Sequence, residues 1–335
     1  MNKILFKNIC LRSFWVGVAV ACSGTAQAQA PSTGSGQGFP GKPIRLVIPF
    51  STGAASDFLG RTIGQKLSER YGQQVVNDNR AGAGGVVGST IVAKAAPDGY
   101  TLMVLAPPHL VNALIHQDPQ YRAVEDYTAI SQIATLPNLL VVPTQYAAKS
   151  VKDLVALAKA KPGSLNFGSA GVGSLSHLGG ALFVSAAGID AVHVPFKLFS
   201  DALGELFSAR VHFYVSPITA VLPHARDGKL RALAVTSANR VPTAPEVPTM
   251  TEAGLPAAQL DTWFGIAGPA GMPRPIVMQL NRDLAAVLQD ADTRERITRQ
   301  GATPAPSTPE QLTATLKNDF VRFRKIIADA GLKPQ

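Results

Sequence analysis

From residue 42 onward the chain alternates β-branched runs with segments of helical spacing. Residues 44–50 form a β-branched run of strand length, apolar but for Arg45, and read as a buried strand. In residues 56–71, Leu59, Ile63 and Leu67 recur at every fourth position and mark one face of a helix. Residues 74–76 predict a second strand, 85–95 a helix and 100–105 a third strand. This βαβαβ order implies a mostly parallel sheet with helices on both faces.

A second unit of the same kind opens near Leu139. Strands are expected at 139–142, 165–168, 192–196, 211–215 and 230–236, with helices at 150–160, 176–187 and 200–208. Ser150 and Asp153 form a capping pair for the first of these helices. Residues 263–267 read as one more strand. Beyond it the chain is helical: 275–288 is amphipathic, and Thr308-Pro309-Glu310-Gln311 is a capping box with Pro at the first helical position. Leu312, Leu316, Phe320, Phe323 and Ile327 then mark one apolar face. With no sheet of its own, this tail is expected to return to the first unit. The expectation is an α/β molecule of two Rossmann-like lobes joined by a two-crossover hinge. Lobe 1 takes 39–135 plus 240–335, and lobe 2 takes 136–239. Strand ends and helix starts would line the cleft between them.

Composition removes several function classes. With 46% hydrophobic and 16% charged residues the chain is globular rather than disordered. Residues 1–28 carry Lys3, Lys7 and Arg12, then a short apolar stretch, then Ala26-Gln27-Ala28, the layout of a cleavable signal peptide. The stretch is shorter than the roughly 20 residues of a membrane span. Residues 29–38 read as a flexible leader, and the mature protein is expected to be exported and soluble. Both cysteines, Cys10 and Cys22, fall inside the signal segment. Disulfide, thiolate and Cys-ligated metal chemistry are therefore not expected after cleavage. Cys22 follows Ala19-Val20-Ala21, a lipobox without its usual Leu. Losing the three basic residues lowers the formal charge from +9 to +6. The remaining cations form no stripe, which suits a small anion and argues against nucleic acid.

The segment 49–57 joins the first strand to the first helix. Phe50, Ser51, Thr52, Gly53, Ala54, Ala55 and Ser56 are small or donor-bearing after the aromatic, so backbone N–H groups at a helix start are open to a carboxylate or phosphate. Asp57 is expected to cap the helix, since a carboxylate repels an anion. Ala170, Gly171, Val172, Gly173, Ser174 and Ser176 form a matching strand-to-helix segment in the second unit. Two such helix starts facing one cleft would clamp both ends of a dianion. His109, after a strand, and Phe196 and Ser216 are further cleft candidates. Residues 82–88 lack the glycine spacing of a dinucleotide site, and neither a P-loop nor a Gly-x-Ser-x-Gly elbow is present. No two of the six histidines have helical zinc spacing. No metal or cofactor is implied. Ser176 beside His177 leaves a secreted serine hydrolase as the alternative reading, and a ligand sensor feeding a signalling partner as another.

The chain resembles the periplasmic receptors of tripartite tricarboxylate transporters, often called the Bug family, over residues 39–333. The markers are Pro43-Ile44-Arg45-Leu46-Val47 with Pro49-Phe50, Asn79-Arg80-Ala81-Gly82-Ala83-Gly84-Gly85, and Ala95-Ala96-Pro97-Asp98-Gly99-Tyr100. Leu165-Asn166-Phe167-Gly168-Ser169-Ala170-Gly171, His193-Val194-Pro195-Phe196-Lys197 and Gly228-Lys229-Leu230-Arg231-Ala232 complete them. The resemblance implies a type II periplasmic-binding-protein fold and no enzymatic activity. It implies a monomeric receptor that closes on a small carboxylate held by backbone amides and water, and is read by a membrane permease. Three departures bear on the ligand. Ser51-Thr52-Gly53-Ala54 replaces the usual Pro-Gly-Gly stretch, Phe196-Lys197-Leu198 replaces Tyr-Lys-Gly, and 211–217 lacks the usual acids. An ammonium group needs an acid partner, so the ligand is expected to be amine-free: a dicarboxylate, or an aromatic carboxylate stacked near Phe196 or Phe199.

Overall fold

The β-branched run becomes a buried strand: in β1 (Ile44–Ile48) Ile44, Leu46, Val47 and Ile48 are all buried, with Arg45 half-buried. The computed structural model describes residues 38–329. The expected signal segment, with both cysteines, and residues 29–37 lie outside the described residues. The first sheet joins β1 to β2 (Val75–Asn79), β3 (Thr101–Leu105), β4 (Tyr127–Leu136), β10 (Thr262–Pro269) and β11 (Thr303–Pro304), in the order β11-β4-β10-β3-β1-β2. The second joins β5 (Asn138–Pro143), β6 (Leu165–Ser169), β7 (Ala191–Pro195), β8 (Phe213–Pro217) and β9 (Leu230–Val235), in the order β7-β6-β8-β5-β9.

Both sheets are mixed, where a mostly parallel pairing was expected. β5 runs antiparallel to β8 and β9, and β10 antiparallel to β3 and β4. These are the strands on which the chain enters each lobe. They start at the cleft and run away from it, whereas β1, β3, β6 and β8 run toward it. The turns after those four strands therefore face the cleft.

Each sheet is covered on both faces. In the first lobe α1 (Ala55–Tyr71) and α8 (Arg274–Gln289) bury Leu59, Ile63, Leu280 and Leu284 on one side. On the other side α2 (Val86–Ala93), α3 (Pro108–Ile115) and α10 (Pro309–Asp329) bury Val92, Leu110, Leu316 and Phe323. In the second lobe α6 (Phe199–Phe207) and α7 (Ile218–Arg226) contribute Leu206 and Val221 to one core cluster. There, α4 (Val151–Ala160) and α5 (Leu175–Ala187) contribute Leu154 and Phe183 to another. A Cβ on Gly180 would lie 2.4 Å from the Phe167 ring, and one on Gly179 would lie 2.6 Å from Val215. The glycine pair thus lets α5 lie close on its sheet. Its Leu178, Ala181 and Leu182 also join Phe323 and Ile326 of α10, so α5 bridges the two lobes.

The first crossover is Pro137, between β4 and β5. The second lies later than the boundary expected at 239/240. After β9 the chain stays on the second lobe: Val235 donates to Pro248 O at 2.8 Å, Met250 donates to Val235 O at 3.0 Å, and Met250 and Ala258 enter that lobe's core. It returns only at residues 260–262. Buried Asn138, Thr236 and Thr262 pin the crossovers together: Asn138 Nδ2 lies 3.0 Å from Thr262 Oγ1, and Thr236 Oγ1 donates to Leu260 O at 2.6 Å. Elements at β4, α3, α7 and β11, and the helix α9 (Ala291–Arg299), add to those the pattern predicts.

Candidate functional site

The turn after β1 is shaped from behind by one carboxylate. Gly53 has φ +86°, a conformation that favours glycine. Its N–H donates to Asp57 Oδ2 at 2.9 Å, while Asp57 Oδ1 accepts from Arg61 Nε and Asn79 Nδ2, each at 2.9 Å. Asn79 Nδ2 also reaches Phe50 O at 3.2 Å. Burial pushes the Asp57 pKa up, but the bonds from Arg61, Gly53 and Asn79 outweigh it and hold the group below the ordinary carboxylate value. Asp57 thus faces the turn and the first helix, not the cleft.

Ala54 is the N-cap of α1 and offers no capping side chain. Asp57 N and Phe58 N both donate to Ala54 O. The N–H groups of Ala55 and Ser56 find no partner among the described residues. A weak cap therefore leaves the positive end of a helix open.

The second-lobe turn is braced differently. Ala170 N donates to Ser176 Oγ at 2.9 Å, Gly171 N to Ser169 Oγ at 3.1 Å, and Gly173 N to His177 Nδ1 at 3.2 Å. Ser174 caps α5 by accepting from His177 N, and its own hydroxyl donates to Gly171 O at 2.7 Å. Ser176 Oγ also accepts from Tyr214 OH at 3.2 Å. The hydroxyls of Ser174 and Ser176 brace the turn. The open donors at the start of α5 are the backbone N–H groups of Leu175 and Ser176, which have no partner among the described residues. The two N-caps, Ala54 and Ser174, share the same backbone conformation, φ −69° and ψ 160°.

Both helix starts line one cavity of about 150 Å³ between the lobes. Ala54, Ala55 and Ser56 come from the first lobe and Leu175 from the second. Phe50, Leu136 and Phe264 supply apolar walls, and Ala106, Pro108, Pro217 and Thr262 complete the lining, which includes no charged side chain. Pro108 begins α3, whose His109 and Leu110 N–H groups bond back to Ala106 O and Pro107 O, and Pro217 precedes α7, whose Ile218 N–H bonds to Pro137 O. A second cavity of about 120 Å³ shares Ala54, Ala55, Leu136 and Phe264, and reaches Gly53, Thr219 and Gln300.

The remaining candidates fall elsewhere. Ser51, Thr52, Ala170 and Val172 are exposed on the turns, and Gly171 is half-buried. Gly173 crosses toward the first lobe, where an added Cβ would come within 2.3 Å of Ile115. Phe196 is half-buried, donates its N–H to Ser169 O, and is not in the cavity lining. Ser216 is 1% exposed, and its Oγ has no hydrogen-bond partner; it sits one residue before the lining Pro217.

His109 is a correction: it is a core residue, not a cleft residue. Its Nδ1 lies 2.9 Å from Ser89 Oγ and its Nε2 lies 2.9 Å from Ala123 O, and its ring stacks on Tyr121. The carbonyl fixes the proton on Nε2. Burial pulls its pKa from 6.5 down to about 4. A base with a lowered folded pKa binds fewer protons folded than unfolded. Its contribution is therefore complete above about pH 6.5 and is lost as pH falls toward 4, about 3 kcal/mol in all. Urea midpoints should fall between pH 7 and pH 5, and fall less in His109→Phe. Equal pH dependence in the two chains would contradict this role.

The nucleophile reading of Ser176 fails on geometry. Ser176 Oγ and His177 Nδ1 each bond to other groups, not to one another.

The sequence and fold are similar to those of known proteins. The model of the tripartite tricarboxylate transporter family receptor matches residues 59–332. BugT of Bordetella pertussis is 33% identical over 95% of this chain and 97% of its own. A solved R. palustris protein with adipate is 35% identical, covers 89% of this chain and all of its own, and superposes with a TM-score of 0.76. MatC from Rhodopseudomonas palustris, with bound malate, is 31% identical, covers 86% of this chain and all of its own, and has a TM-score of 0.71.

Proposed function

The chain belongs to the tripartite tricarboxylate transporter receptor family, periplasmic solute-binding proteins and not enzymes, and from that premise we propose that it captures an amine-free dicarboxylate between its lobes. One observation carries the reading. Helix starts with open amides at Ala55 and Ser56, and at Leu175 and Ser176, meet at a cavity whose lining includes no charged side chain. Opposed amide pairs favour carboxylates at two ends. Phe50, Leu136 and Phe264 suit an aliphatic middle. An ammonium group would be buried there without an acid partner, at a cost of several kcal/mol.

The adipate and malate held by the two R. palustris relatives fit this chemistry. The aromatic variant gains no support, because neither Phe196 nor Phe199 is in the lining. Export by residues 1–28 and hand-over of the closed form to a membrane permease complete the proposal. Among the described residues no helix is long and apolar enough to cross a membrane.

Thermal unfolding in the presence of adipate, malate, aspartate and glutamate tests it. A dicarboxylate at 100 times its Kd should stabilise by about 2.7 kcal/mol. Tighter binding of aspartate or glutamate than of either amine-free acid would overturn the ligand class.

A further inference from the structure

We propose that His177 and His193 are positioning residues for the carboxylate site, holding the turn before α5 from behind so that its open amides face the cavity. This rests on the carboxylate reading above. The two rings lie face to face with centroids 3.8 Å apart and planes 12° from parallel, and His193 continues the stack onto Phe167 at 4.9 Å. Each ring places one nitrogen on the turn. His177 Nδ1 accepts the Gly173 N–H at 3.2 Å, so its proton resides on Nε2. His193 Nε2 lies 2.7 Å from Ser169 Oγ, and that hydroxyl lies 3.1 Å from both the N–H and the carbonyl of Gly171. Ser169 Oγ thereby links the His193 ring to both backbone groups of Gly171. The pair therefore fixes Gly171 and Gly173, the two positive-φ residues of the turn, at φ +105° and +78°.

A role in packing alone would not require imidazoles. Phe167 and Phe213 occupy the same aromatic stack at 5.5 Å without any polar bond. The nitrogens matter because their bonds end on the backbone that leads into α5. Gly173 also reaches Ile115 of the first lobe, so its position bears on how the lobes meet. Burial lowers both histidines' pKa to about 4, which keeps the rings neutral at pH 7. On their outer side a cavity of about 460 Å³ brings Asp190 and Asp329 near them, the charged groups of its lining. On the inner side they meet the backbone of the turn and the Ser169 hydroxyl. A protonated His177 cannot accept from Gly173, so acid releases the turn.

The test compares His177→Phe and His177→Asn with the parent chain by two readouts. One is amide hydrogen exchange of residues 169–176 without ligand, and the other is calorimetric titration with adipate. Phe keeps the stack and removes the acceptor; Asn supplies an acceptor oxygen near the Nδ1 position. His177→Phe should lose roughly tenfold protection in the turn and bind adipate roughly tenfold more weakly, with Asn recovering most of both. In the parent chain the same loss should develop as pH falls from 6.5 toward 4, and His177→Phe should show no such pH step. Unchanged protection in His177→Phe, or lost protection with unchanged adipate affinity, overturns the proposal. Absence of adipate binding by the parent chain sinks the ligand reading instead, and the exchange arm still decides whether the rings hold the turn.

Discussion

Asp57→Ala should lower the stability of the protein by about 2–4 kcal/mol and weaken dicarboxylate capture at least tenfold. Asp57 is 3% exposed and accepts hydrogen bonds from Gly53, Arg61 and Asn79. Hydrogen bonds to a charged group contribute about 1.5–3 kcal/mol each in buried settings, and because Gly53 and Arg61 are exposed and can turn to water, the loss of all three falls well short of their sum. The effect on binding follows from preorganisation. Without the carboxylate, Gly53 is no longer held at φ +86°, and the turn that presents Ala55 and Ser56 must be ordered by the ligand itself. Asp57→Asn keeps an acceptor but loses the charge facing Arg61, so its losses should be intermediate. Because the folded pKa of Asp57 lies below its ordinary value, its contribution is present above about pH 4 and disappears as pH falls through that lowered pKa. Urea unfolding and adipate calorimetry on the three chains check both halves. An unchanged midpoint in Asp57→Ala would refute the bracing role.

Ala55→Asp should abolish carboxylate binding while leaving the fold intact or slightly stabilised. Ala55 is exposed, begins α1 and lines both interlobe cavities. An acidic residue in the first turn of a helix is favoured by about 0.3–1 kcal/mol. The same carboxylate would stand beside the carboxylate of a bound dianion. Two like charges about 4 Å apart repel by about 4 kcal/mol at an effective dielectric constant near 20. That is enough to reduce affinity by more than about 100-fold. Ala55→Asn, of similar size and no charge, should lose far less. Opposite signs for stability and affinity separate this result from simple misfolding, and equal affinity in Ala55→Asp and the parent chain would remove the carboxylate from this helix start.

The sequence pattern was most readable where contacts are local. The runs that form β1 and α1, and the small-residue turns after β1 and β6, carry their signals within a dozen residues, and these turns place both helix starts at one cavity. What stayed hidden depends on distant partners. β4 contains Ser131 and Gln132, polar positions that interrupt an apolar run. Ser131 Oγ donates to Ser307 O at 3.0 Å, and Gln132 N to Ser307 Oγ at 2.8 Å, across more than 170 residues. His109 looks like a cleft residue from its place after a strand, yet Ser89 and Ala123 satisfy it inside the core. The walls Leu136 and Phe264 arrive on strands flanking the two crossovers, so no single stretch of sequence joins them. Asn79 was visible only as part of a motif; its use in tying Asp57 to Phe50 O is tertiary.

In the proposed mode of capture, two opposed helix starts grip one dicarboxylate. The most direct measurement is an amide NMR titration with adipate, following the N–H signals of Ala55, Ser56, Leu175 and Ser176. All four should shift together with a single affinity, as hydrogen bonds form at both ends of the ligand. Binding that moves one pair alone, or moves none of the four, would contradict it.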